Sequence, residues 1–264
     1  MGIILATLLI VKILKKISIK KTLKILRKYL YCGNKVECPI CHSAFRIFAA
    51  AGNPKRKNAL CLNCGSLERH RLLWLYFNEK TDLLKPQNEI KLLHFAPEKV
   101  FFDIFANAHN ILYEPCDLRP ENYNFSSNTK INKVDITNVP FENNYFDFVI
   151  CNHVFEHIED DKLAMSELHR VMKKGGVGIF QVPIDYDLDE TYEDATVVSP
   201  KDRERVFGQS DHCRIYGKDY AERLKQFDWL VLEDNFVSNF SPDDIFRYGL
   251  MDTELIYICR ILQQ

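Results

Sequence analysis

Phe146-Asp147-Phe148-Val149-Ile150-Cys151-Asn152-His153-Val154-Phe155-Glu156-His157-Ile158, followed by Glu167-Leu168-His169-Arg170-Val171-Met172-Lys173-Lys174-Gly175-Gly176, decides the reading of this chain. The apolar run 146–151 predicts a strand. In residues 161–173 the apolar positions Leu163, Ala164, Leu168, Val171 and Met172 recur at helical spacing, and Gly175 and Gly176 close the helix. Residues 177–182 form the next strand. Working back toward the N-terminus, the pattern predicts a strand at 90–95, a helix at 99–108, and strands at 111–113 and 131–135. Working forward, it predicts a helix at 218–226 and strands at 229–236 and 254–262. Strand and helix in alternation imply an α/β fold, a parallel sheet with helices on both faces. Residues 183–217 lack regular pattern, and a connection of that length in a compact domain is usually a lid or binding insert.

The composition agrees with a folded chain. Of 264 residues, 47% are hydrophobic and 27% charged, with only 10 Gly and 10 Pro, which excludes global disorder and collagen-like or low-complexity classes. The net charge of −1 hides an asymmetry: residues 1–86 carry 17 Lys and Arg against 4 Asp and Glu, whereas residues 87–264 carry 18 against 32. A basic end of this kind either meets an anionic surface, such as RNA, lipid headgroups or an acidic glycan, or is simply solvated. Residues 1–31 hold eight of the basic side chains and no acidic one. Their apolar run 3–11 is shorter than the roughly 20 residues a membrane span takes. Residues 20–30 separate Lys20, Lys21, Lys24, Arg27 and Lys28 from Leu23, Ile25, Leu26, Tyr29 and Leu30 at helical spacing. Such a helix lies on an anionic membrane or packs on its own domain or a partner. No cleavable signal is evident, so the expected compartment is the cytoplasm, with residues 1–30 as a candidate contact to the inner membrane surface.

Four of the nine cysteines form two pairs, Cys38-x2-Cys41 and Cys61-x2-Cys64, separated by 19 residues. Two turns that each present two thiolates suit one tetrahedral ion, and a closed four-sulfur site is structural rather than catalytic, which favours zinc. Gly52, Asn53, Pro54 and Gly65 fit two knuckles with a hairpin between them. Ser66 is the expected cap of a helix running to residue 80. The sequence Leu67-Glu68-Arg69-His70-Arg71 either reads phosphate or faces solvent. The expected organisation is a basic segment 1–31, a zinc-ribbon-like module 32–66, a connecting helix and turn 67–87, and a main domain 88–264.

With Val134-Asp135-Ile136-Thr137 and Val139-Pro140-Phe141 added to the opening segments, the order of motifs over residues 88–264 resembles the class I S-adenosylmethionine-dependent methyltransferases, in particular the bacterial type 11 group. The cysteine module, Ser66 to Tyr76 and Leu93-His94-Phe95-Ala96-Pro97-Glu98 resemble a bacterial subgroup in which a zinc-ribbon-like element precedes the methyltransferase domain. The resemblance implies a Rossmann-like doubly wound sheet whose last strand is antiparallel, and S-adenosyl-L-methionine as cofactor beside Zn2+.

Independently of the resemblance, an acidic side chain about 20 residues past the first loop suits ribose hydroxyls. Asp117 lies 23 residues after His94, and Glu114 is its rival. The resemblance implies that Asp135 accepts the adenine amino group, that Ile136 completes the base contact, and that Asn152 and His153 lie along the methionine part and face the acceptor. His153 is the first candidate for a general base and His157 the second. Class I enzymes usually carry a glycine-rich first loop, whereas this chain offers Ala96 as its only small residue there. Glu98 is expected to hold the cofactor's ammonium group and His94 to support its carboxylate. Arg203, Arg205, Gln209, Asp211, His212, Arg214 and Tyr216 cluster in or beside the long insert, suggesting substrate recognition, with Asp211 and His212 forming an acid–base pair or Asp211 pairing with an arginine at the surface. The expected function is O-methylation of a small molecule or glycan. The alternatives are RNA base methylation, gripped by the zinc module and basic N-terminus, and a catalytically inactive binding protein.

Overall fold

The computed structural model describes residues 29–52, 54–85, 87 and 89–262. Most of the basic segment 1–31, including the membrane expectation attached to it, therefore lies outside the described residues. The rest divides into two compact units. One comprises the chain up to Trp74 together with Asn239–Asp252; the other comprises Leu75–Ser238 and the chain from Thr253 onward.

The first unit is built from two short antiparallel pairs and a helix. Strands β1 (Val36–Glu37) and β2 (Ala44–Phe45) flank the first cysteine pair, and β3 (Ala49–Ala51) and β4 (Arg56–Leu60) form the hairpin between the pairs. Helix α1 (Glu68–Lys80) follows, and the boundary between units falls inside it. The sequence placed residues 239–252 in the main domain, but they belong to this first unit. The helix Pro242–Tyr248 lies there because its end supplies carbonyls that the unit's buried polar groups need. Arg71, fully buried, donates to the carbonyls of Tyr248 (2.6 Å), Gly249 (2.6 Å) and Ser66 (2.9 Å), and Asn58 donates to Phe246 O (3.0 Å). A buried guanidinium needs such acceptors, so the phosphate-reading expectation for this stretch does not extend to Arg71.

The second unit is organised by a seven-stranded sheet. Its strands are β5 (Ile90–Phe95), β6 (Ile111–Asp117), β7 (Asn132–Lys133), β8 (Phe146–Asn152), β9 (Met172–Gln181), β12 (Leu230–Asp234) and β13 (Ile256–Arg260). Their spatial order is β12-β13-β9-β8-β5-β6-β7. Strands β9, β8, β5, β6 and β7 run parallel, while β13 is antiparallel to both neighbours. This is the Rossmann-like methyltransferase fold, with the strand order reversing between β5 and β8.

Period-two alternation sorts the side chains onto two faces. On one face, His94 and Phe148 meet Phe105 of helix α2 (Lys99–Phe105) and Phe77, which also touches Phe101 edge-on at 5.4 Å. On the other, Leu93, Phe95, Val149, Cys151 and Phe180 pack with Ala164, Met165, Leu168 and Val171 of helix α3 (Asp161–Val171).

Two local expectations are corrected. Helix α3 stops at Val171 and Met172 already pairs with Phe146, so Gly175 and Gly176 lie within β9 rather than capping the helix. The glycines fall where the β8–β9 register shifts between Phe146 and Phe148, a bulge that takes up the extra residues of β9. The insert 183–217 is not without pattern: it contains β10 (Tyr192–Glu193), helix α4 (Pro200–Phe207) and β11 (Arg214–Ile215), with Ser199 accepting from Asp202 N as helix cap. Helix α5 (Tyr220–Lys225) follows. Among the described residues no helix is long and apolar enough to cross a membrane.

Candidate functional site

Parallel strands leave their carboxyl ends at one edge of the sheet, and the crevice at the reversal of strand order is where such folds receive ligands. A cavity of about 410 Å3 opens there, lined among others by Ala96, Asp117, Asp135, Ile136, His153 and His157. Pockets for small molecules run from roughly 300 to 1,000 Å3. Phe95 is buried beneath and does not plug the crevice.

The first loop solves the missing-glycine problem through backbone conformation. Ala96 takes φ +48°, the left-handed region that glycine normally fills, and its N–H donates to Cys116 O at 2.9 Å. The small side chain is the least costly substitute for glycine in close approach to a ligand. His153, after β8, also has positive φ (+55°), and its N–H donates to Gln181 O at 2.7 Å. Two non-glycine residues in this region on one cavity are strain concentrated at a site.

Asp117 ends β6 and presents its carboxylate at the cavity. Its oxygens already accept from Arg119 N (2.7 Å) and the Tyr123 hydroxyl (2.6 Å), which fixes the group while leaving lone pairs for further donors. Burial, helped by Asp117, raises the Tyr123 hydroxyl's pKa, so it remains a donor. Glu114, the rival, accepts from Asn132 and does not line the cavity. Asp135 commits one oxygen to Thr137 N and Oγ1, and the adjacent Ile136 is buried with its side chain on the cavity.

His94 is placed otherwise than expected. It is completely buried, with Nδ1 2.9 Å from the Tyr113 hydroxyl and Nε2 2.8 Å from Glu98 Oε2. Tyr113 donates to Nδ1 and Nε2 donates to Glu98 in the tautomer that fits both contacts. Neither ring nitrogen is left for a ligand's carboxylate, so His94 positions Glu98 instead. Asn152 donates to the other Glu98 oxygen at 3.1 Å, and its own Oδ1 is buried without a hydrogen-bond partner.

His153 Nδ1 lies 3.4 Å from Glu156 Oε1, and its Nε2 is buried without a partner. Glu156 is buried with Oε2 likewise unsatisfied. The sequence reading passed over Glu156; its place at helical distance after His153 was the available signal. Asp211 pairs not with its neighbour His212 but with His157, whose Nδ1 is 3.3 Å from the Asp211 carboxylate. His212 is buried with its ring 4.7 Å from that of His157, and desolvation first, then the His157 charge, lowers its pKa. The remaining insert residues divide by role. Arg203 lines the cavity while paired to Glu159 (2.8 Å); Arg205 is exposed beside Asp202; Gln209 is exposed. Arg214 and Tyr216 are buried structural groups. Arg214 donates to the carbonyls of Phe155, Ile158 and Glu159, and Tyr216 donates to Asp161, which also accepts both arms of Arg223.

In the first unit the four sulfurs of Cys38, Cys41, Cys61 and Cys64 form one cluster. Cys38 and Cys64 are 3.6 Å apart and Cys41 and Cys61 3.7 Å, far beyond a disulfide. A tetrahedral Zn2+ with Zn–S of about 2.3 Å sets sulfurs about 3.8 Å apart, so the donors fit. The two knuckles repeat one geometry. Cys38 N donates to Ser43 O and His42 N returns to Cys38 O; Cys61 N donates to Ser66 O and Gly65 N returns to Cys61 O. His42 (φ +54°) and Gly65 (φ +79°) take the left-handed position of each. Neighbouring thiols hold the Cys38 thiol well below its ordinary pKa, and Ser66 adds to this. Ser66 Oγ lies 3.3 Å from Cys38 Sγ and 3.2 Å from Cys64 Sγ, which is where the expected helix cap is spent instead.

A family model described as a methyltransferase domain matches residues 103–180, from α2 to the end of β9. A demethylmenaquinone methyltransferase of Staphylococcus carnosus is 27% identical over 104 residues, 39% of this chain. The match spans about two fifths of that relative's length. Among solved structures, an S-adenosylmethionine dependent methyltransferase from Mesorhizobium loti superposes with a TM-score of 0.48 at 12% identity, covering 71% of this chain and 96% of that one. The Burkholderia thailandensis 1,6-didemethyltoxoflavin-N1-methyltransferase, solved with S-adenosylhomocysteine, gives 0.45 at 12%, covering 74% and 78%. The sequence matches support a methyltransferase.

Proposed function

We propose that the chain is an S-adenosylmethionine-dependent methyltransferase that methylates oxygen on a small-molecule or glycan acceptor, with a structural zinc ion on Cys38, Cys41, Cys61 and Cys64. The observation that carries this reading is the convergence of Ala96, Asp117 and Asp135 on one cavity at the reversal of the strand order, with Ala96 in a glycine-like conformation. That conformation argues against the inactive-protein alternative, because the loop keeps its shape without glycine.

S-adenosylmethionine, when bound, supplies an electrophilic methyl group. Asp117 is suited to accept ribose hydroxyls and Asp135 the adenine amino group, beside the apolar Ile136 side chain. Glu98, oriented by His94 and Asn152, is suited to the ammonium group. The acceptor is held on the side of His153, whose Nε2 takes the hydroxyl proton while Glu156 behind Nδ1 steadies the resulting imidazolium. His157 is the second candidate for proton transfer and His212 sits against it. The surplus of acidic side chains in residues 87–264 favours a small acceptor over RNA. The expected location is cytoplasmic, with residues 1–30 as the candidate membrane contact.

Calorimetric titration of the full chain with S-adenosylmethionine tests the reading. Micromolar binding that weakens at least tenfold in Asp117→Ala is the expected result; absent binding, or equal affinity in the variant, refutes it.

A further inference from the structure

We propose a second metal site, for a divalent transition ion, formed by Glu156, His157 and His212. The candidate ligand atoms of these three side chains all lie within 4.8 Å of one another. Bonds of about 2.1 Å to a shared ion bring such atoms to roughly 3.4 Å in tetrahedral geometry, a change that side-chain rotation supplies. Two imidazoles and one carboxylate are the donor set of borderline ions, distinct from the four thiols of the first unit.

Three observations make this a built site rather than a chance cluster. Glu156 is 2% exposed and its Oε2 has no hydrogen-bond partner, although the other oxygen faces His153. A carboxylate oxygen in that position is costly unless something positive meets it. The His157 imidazole is held from behind, as ligating histidines are: the carboxylate and the carbonyl of Asp211 each lie 3.3 Å from His157 Nδ1, while the buried His212 ring stands edge-on 4.7 Å from it. The two segments that carry the donors are also locked together. Cys213 N donates to Glu156 O at 2.7 Å, and the buried Arg214 guanidinium ties down the carbonyls of Phe155, Ile158 and Glu159.

Of the three donors His157 lines the cavity that His153 also lines, so an ion held here would border that cavity, where an oxygen donor of a bound molecule could complete its shell. The site stands without the methyl-transfer reading, since its evidence is the donor set alone.

Titration of the zinc-loaded full chain with Co2+ tests it. One equivalent is expected to bind with weak visible bands and no sulfur-to-cobalt charge transfer, distinguishing it from exchange into the cysteine cluster. Glu156→Gln and, as a more exposed position less prone to misfolding, His157→Ala are each expected to weaken this binding at least tenfold. No sulfur-free equivalent, or binding equal to wild type in His157→Ala, overturns the proposal.

Discussion

His94 Nε2 and Glu98 Oε2 are 2.8 Å apart, joining the end of strand β5 to the residue that precedes α2. The His94 ring has no exposed surface, and Tyr113 holds its other nitrogen at 2.9 Å. Burial raises the Tyr113 hydroxyl's pKa, which keeps it the donor at one end of this relay. Replacing His94 by Phe leaves the Tyr113 hydroxyl and one Glu98 oxygen without their partner, which costs about 1–3 kcal/mol. The variant is expected to melt several degrees lower and to bind S-adenosylmethionine at least tenfold more weakly. A Glu98→Gln variant is expected to lose affinity with little loss of stability. Thermal melts and calorimetry on the pair separate the two roles.

Ala96 predicts an inversion of the usual rule that glycine destabilises. Its φ of +48° costs an L-residue about 1–2 kcal/mol. Ala96→Gly is therefore expected to hold or raise the melting temperature and to keep cofactor affinity, whereas Ala96→Val, β-branched in that region, is expected to lower both. A lower melting temperature in the glycine variant would contradict the assignment.

The cysteine cluster predicts that Cys61→Ser retains less than one zinc equivalent by metal analysis. Arg71→Met tests the buried cation beside it. With its four carbonyl partners stranded, the first unit is expected to lose about 3 kcal/mol or more. Hydrogen exchange confined to residues of that unit reads the loss.

Glu167 supplies a pH dependence. Its bond to Arg170 holds its pKa below the ordinary value of 4.5, and it also accepts from Val139 N. A carboxylate depressed in the folded state stabilises above its unfolded pKa, and that stability is lost as pH falls through the folded value. Glu167→Gln is expected to flatten the acid limb of the melting profile below about pH 4.5 while its melting temperature at pH 7 drops. An unchanged acid limb would remove Glu167 from that role.

Much of the sheet was legible because buried parallel strands are written as short apolar runs between polar turns: β5 and β8 begin where the pattern of residues 90–95 and 146–151 begins. The cysteine spacing likewise led to the sulfur cluster. What escaped depends on contacts distant in sequence. Gly175 and Gly176 carry a helix-ending signal, yet they lie within β9 and exchange backbone hydrogen bonds with Ile261, far away in sequence. His94 reads as a ligand because histidine is rarely buried whole, and only Tyr113 and Glu98 on neighbouring elements make that burial tolerable. Asp211 and His212 are adjacent in sequence, but adjacent side chains point apart, and the groups that meet are His157 with each of them.

The loan of residues 239–252 to the cysteine unit has a temporal side. Synthesis delivers both CxxC turns early, but the carbonyls of Tyr248 and Gly249 that receive Arg71 emerge from the ribosome only after the whole stretch 75–238 of the other unit has been made. The cysteine unit cannot reach its final form on the nascent chain until the sheet that interrupts it has been synthesised, and a fragment ending before residue 239 would leave it permanently unfinished.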